Sequence, residues 1–109
     1  MNLNDIRDPG AATTMDEVRA SIDAIDRELV ALLGRRMRWI ERAGQIKPNR
    51  EAVRDEWRKQ DVHAKVRAEA AKHGFPPELL HDVYETLMEG SIAHEFEIFD
   101  RRVSAGGDG

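Results

Sequence analysis

From Met15 to Ile46 the chain carries apolar residues at three- and four-residue steps (Val18, Ile22, Ile25, Leu29, Leu32, Leu33, Met37, Ile40, Ala43 and Ile46), and no proline intervenes before Pro48. The periodicity predicts a single helix of about 32 residues, opened by Thr14 and Glu17 as a capping box. At about 1.5 Å per residue such a helix is nearly 50 Å long, whereas a compact domain of about 100 residues is only about 34 Å across. The helix must therefore project beyond its own subunit, and its apolar stripe needs a cover. A second copy of the chain is the simplest cover, with an exposed coiled-coil stalk as the competing arrangement.

A second helix is expected from about Glu51 to His73, closed by Gly74, and a third from Pro76-Pro77 to about Arg102. The fold class is all-α, with three helices per chain, one of them very long. Residues 14–102 form one helical domain between a flexible N-terminal tail, 1–13, and a disordered C-terminal tail, 103–109. A chain of 109 residues has a modest core of its own, which adds weight to self-association. Without cysteine there is no disulfide framework and no thiolate nucleophile, in keeping with a reducing, cytoplasmic setting. A net charge of −4 opposes a nucleic-acid partner, and no apolar run approaches the roughly 18 residues that span a bilayer. The four histidines, His63, His73, His81 and His94, show no metal-ligand spacing, so no metal is expected.

Polar residues standing in apolar seams are the informative exceptions, because burial without a partner costs several kcal/mol. On the first helix the seam runs Leu29, Leu32, Leu33 and then lands on Arg36. Lys47 follows 11 residues later, close to three turns on and so on the same face. Two long cationic side chains there can converge on one anion. On the third helix Tyr84, Leu87, Met88, Ser91, Glu95 and Phe99 share a stripe, which turns Ser91 and Glu95 inward. Arg58, next to Trp57 on the second helix, can add positive charge to the same cavity. Each of these has a structural alternative: an ion pair across the bundle for Arg36, a contact with the helix C-terminal dipole for Lys47, and an interhelical hydrogen bond for Ser91 with Glu95.

Taken together, Arg19 in VRASIDAIDRELVALL, Arg36 in GRRM, Lys47 in AGQIK, Arg58, and Ser91 with Glu95 in SIAHE resemble the all-α chorismate mutase family, which includes the isochorismate pyruvate lyases. The resemblance covers about residues 15 to 102. It implies an intertwined helical homodimer that binds a chorismate-like dicarboxylate, with Arg36, Lys47 and Glu95 catalytic and Arg19, Asp55, Arg58 and Ser91 binding substrate. In the family Arg19 comes from the partner subunit. The sequence supports this independently, since Arg19 and Arg36 are 17 residues apart, about 25 Å along one helix. The implied reaction, a Claisen rearrangement of chorismate to prephenate, needs no nucleophile, metal or redox cofactor. Lys47 and a protonated Glu95 would donate to the ether oxygen as its bond breaks.

The chain departs from the family pattern at Lys59, where many bacterial mutases carry an acidic residue that binds the ring hydroxyl, and Asp55 is the nearby carboxylate for that role. The segment from Lys47 to Arg58 and the SIAHE stretch resemble the lyases at least as closely. Elimination of pyruvate from isochorismate, rearrangement of an amino-substituted chorismate, and a non-catalytic helical dimerisation module remain the alternatives.

Overall fold

The computed structural model describes residues 8–106. Among these, three α-helices hold nearly all the chain: α1, Met15–Ile46; α2, Glu56–Lys72; and α3, Pro77–Gly106. The expected all-α architecture is the observed one. Helix α1 has the anticipated length, 32 residues. Its first turn is closed by Thr14, whose hydroxyl accepts the Glu17 N–H at 3.2 Å and donates to the Glu17 carboxylate at 3.3 Å. The carboxylate also takes the Thr13 hydroxyl, at 3.2 Å.

The chain divides into two compact units, with the boundary inside α1 between Arg38 and Trp39. In the first unit, α1 buries Ala24 but leaves its apolar stripe open, with Ile22, Ile25, Leu29 and Leu32 all exposed; Leu29 is 52% exposed. A hydrophobic row of that kind has no stabilising role until something covers it. A short 3-10 turn, Pro9–Ala11, precedes it, capped by Asp8, whose side chain takes the Gly10 N–H at 3.3 Å. The tail residues 1–7 and 107–109 lie outside the described residues.

In the second unit the last turns of α1, a 3-10 turn at Arg50–Ala52, α2 and α3 enclose a small core of Val53, Ala70, Met88 and Phe99. Helix α2 starts at Glu56, not near Glu51 as its periodicity suggested, because two side-chain caps take over the backbone. The Asn49 side chain accepts the Ala52 N–H at 2.9 Å and closes the 3-10 turn, which drops Val53 into the core. Asp55 is then extended, and its carboxylate accepts the Arg58 N–H at 3.0 Å. At the other end Gly74 has φ 67°, a left-handed conformation that a side chain would strain.

Helix α3 runs to Gly106, past Arg102, where the sequence suggested fraying. Arg102 itself is anchored on both sides. Its guanidinium stacks over the Phe99 ring at 4.6 Å and donates to the carbonyls of Gln45 and, at 2.8 Å, Lys47. Carbonyls at the end of α1 have no helical partner, so a cation from α3 both satisfies them and meets the negative end of the helix dipole.

Candidate active site

The site forms where the C-terminal end of α1 approaches α3. Gly44 permits the approach: a Cβ built there would lie 3.0 Å from the Glu95 carbonyl oxygen and 3.1 Å from Ile98 Cβ. Both obstacles are rigid, so any larger residue would force the helices apart. One turn earlier, Glu41 holds the register with a 2.8 Å contact from its Oε2 to His94 Nε2. At most exposed helical positions Gly→Ala gains about 0.5–1 kcal/mol, because it lowers the entropy lost on folding. Gly44→Ala is expected instead to lose about 1–3 kcal/mol through overpacking. A thermal melt in which Gly44→Ala matches or exceeds the parent would rule out the close approach.

That approach places the Lys47 ammonium 2.6 Å from Glu95 Oε2. Glu95 is 4% exposed and Ser91, one turn before it, 3%. The seam reading of α3 thus located two buried polar groups correctly. Lys47 also donates to the Val53 carbonyl at 3.3 Å, and its main chain is pinned by Arg102. With its side chain 27% exposed, it bridges solvent and the buried carboxylate. The Ser91 hydroxyl donates to the Leu87 carbonyl at 2.7 Å, a bond back to the preceding turn of its own helix.

Within the second unit, Arg58, Asp55 and Lys59 are engaged elsewhere. Arg58 bonds Asp61 at 2.6 Å with its side chain 62% exposed, and one Asp55 oxygen is engaged in capping α2. Lys59 is turned to α3, with Glu85 at 2.7 Å and Glu89 at 3.0 Å, and these two contacts raise its pKa. In the first unit Arg36 is half-buried and Arg19 exposed on the same helix. Sequence reasoning passed over Gly44 and Arg102, which set the position of Lys47. The signal for the first was present, a glycine kept inside an otherwise unbroken helical pattern. Nothing in the sequence marked the second.

Glu89 ties the start of α2 to α3. Arg54 donates to it at 2.9 Å and Lys59 adds a second contact, and in that order they lower its pKa from 4.5 to about 2. A carboxylate held lower in the folded than in the unfolded chain stabilises the fold above pH 4.5, and that contribution is lost as pH falls toward 2. Urea midpoints are therefore expected to drop over that interval, and less steeply in Glu89→Gln. Equal slopes in the two proteins would show that Glu89 contributes nothing there.

The fold is that of a small all-α protein with a lysine–carboxylate pair buried at a helix junction. The sequence profile of chorismate mutase type II matches residues 18–96, and the chain belongs to that family. No curated protein matches it significantly. The family match bears on a chorismate-like substrate. No helix among the described residues is long and apolar enough to cross a membrane.

Proposed function

We propose that the chain catalyses the rearrangement of chorismate to prephenate as an intertwined homodimer with two sites shared between subunits. The observation that carries this reading is the Lys47–Glu95 pair, a cation and a buried carboxyl side by side in a chorismate mutase type II chain. A unimolecular pericyclic step asks the protein to hold the reactive conformer and to stabilise charge growing on the ether oxygen. Lys47 turns from Glu95 to that oxygen, and Glu95 completes the polar end of the site beside it. Arg36 grips a substrate carboxylate with its planar fork. Ser91 lines the opposite wall.

Arg58 and Asp55 complete the substrate contacts in this reading, and each must give something up. Arg58 releases Asp61 for a substrate carboxylate, an exchange of one surface ion pair for a bidentate contact in a drier place. Arg19 of the partner subunit supplies the remaining cation, because Arg19 and Arg36 of one chain stand about 25 Å apart along α1. The open stripe of Ile22, Ile25, Leu29 and Leu32 is the surface the second copy covers.

Product chromatography with chorismate, isochorismate and an amino-substituted chorismate tests the reading. Prephenate from chorismate is the expected result. Salicylate and pyruvate from isochorismate alone would make the chain a lyase on the same scaffold. No turnover of any of the three, with no ligand-dependent rise in Tm, would leave a non-catalytic dimerisation module.

A further inference from the structure

The last turn of α1 has little of its own to hold it in place. Ile46, where the helix ends, is 64% exposed, and Pro48 has no N–H to donate. The Lys47 N–H still reaches the Ala43 carbonyl at 3.0 Å, but the carbonyls of this turn have no helical partner. Arg102 fastens them from α3. One guanidinium nitrogen donates to the Gln45 carbonyl and another to the Lys47 carbonyl at 2.8 Å, so the planar fork straddles the turn from which the Lys47 side chain departs. The buried Phe99 ring lies 4.6 Å from the guanidinium carbon and keeps the fork in place.

The Lys47 ammonium stands 2.6 Å from Glu95 Oε2 and 3.3 Å from the Val53 carbonyl. Glu95 comes seven residues, about two turns, before Arg102 on α3. One helix therefore carries the carboxyl and also grips the main chain of the lysine that meets it. A long alkyl stem rooted in a frayed turn would let the ammonium wander. Misplacement of a reacting group by about 1 Å can cost about 10²-fold in rate.

We propose that Arg102 is a positioning residue, which touches no substrate and acts through Lys47 by holding its main chain against α3. Its consequence for turnover rests on the proposed rearrangement, whereas its hold on Lys47 stands on geometry alone. Arg50 provides the contrast. It too stacks over a phenylalanine of α3, Phe96 at 4.4 Å, and it pairs with Asp100 at 3.1 Å, yet neither of these contacts involves Lys47.

Two measurements on the full chain test the assignment. Arg102→Ala is expected to lower kcat for chorismate by about 10- to 100-fold with KM little changed, because a loosened Lys47 is missed mainly in the transition state. Arg102→Lys, which offers donors without the planar fork, should recover part of the loss. Arg50→Ala loses a ring contact and an ion pair and should melt lower by a similar margin, yet keep the parental kcat. Independently of turnover, brief acetylation with acetic anhydride, read residue by residue by mass spectrometry, should label Lys47 several-fold faster in Arg102→Ala than in the parent or in Arg50→Ala. The exposed Lys65 and Lys72 serve as unchanged references. If Arg102→Ala does not fold, Arg102→Gln must show the same two changes. Parental kcat in the folded variant, a loss shared equally by Arg50→Ala, or a loss without faster Lys47 labelling overturns the positioning role. A parent that turns over none of the three chorismate-type compounds sinks the proposed function instead, and the labelling alone then decides whether Arg102 holds Lys47.

Discussion

Lys47→Ala is expected to lower kcat/KM by about 10³-fold, the upper range for removing one donor to a developing oxyanion. It is also expected to lose stability, by about 2–3 kcal/mol, because it strips the cation from a carboxylate that is 4% exposed. A lysine at a helix C-terminus ordinarily does no more than complement the helix dipole, and its removal then costs little. The 2.6 Å contact of Lys47 with Glu95 reverses that expectation. The two effects separate in the pair of variants Lys47→Met and Glu95→Leu. Combined in one chain, they should recover most of the stability lost by Lys47→Met alone, since no buried charge is then orphaned, while turnover stays absent. Glu95→Gln is expected to keep turnover, because an amide N–H can donate to the ether oxygen. Urea melts and steady-state kinetics on the same samples check both. Near-parental turnover in Lys47→Ala removes it from the chemistry, whatever happens to stability.

Arg19→Ala and Arg36→Ala are each expected to be inactive as pure proteins, with losses of about 10²–10³-fold. Unfolded together and refolded as an equal mixture, they should regain activity. Random pairing makes half the dimers mixed, and each mixed dimer carries one intact site of two, so about a quarter of the parental activity returns. The expectation follows from a helix that is continuous from Met15 to Ile46, which holds Arg19 and Arg36 too far apart to grip one small ligand. Mixed dimers that form, as judged by mass spectrometry of differently tagged chains, yet stay as inactive as the parents would rule out shared sites. The same mixture tests the open stripe: if Ile22, Leu29 and Leu32 remain solvent-exposed in solution, no mixed species forms.

How much of this was legible beforehand depends on the range over which the responsible interaction acts. The long helix, its threonine cap and the inward turn of Ser91 and Glu95 come from patterns repeating within a few residues, and all three are present in the structure. The start of α2 was misplaced by several residues because Asn49 and Asp55 compete with the helix for backbone N–H groups, and hydrophobic periodicity carries no trace of that competition. Lys59 shows the limit most clearly. Its place in the sequence leaves its direction open, and Glu85 and Glu89 on another helix decide it. His63 comes 18 residues before His81, so the stacking of their rings exists only once α2 packs on α3.

By itself, then, the sequence determined the elements and the chemistry available to them: an all-α chain, a first helix of 32 residues, and cations and a carboxyl set in apolar seams. Periodicity and capping are local, and local order is written directly in residue order. Tertiary structure alone decided which of those groups meet. Lys47 finds Glu95 because Gly44 lets α1 close on α3 and Arg102 pins the end of α1, while Arg58 is turned outward to Asp61. Such pairings turn on ångström-scale approaches between segments as many as 57 residues apart, and no periodic pattern encodes them.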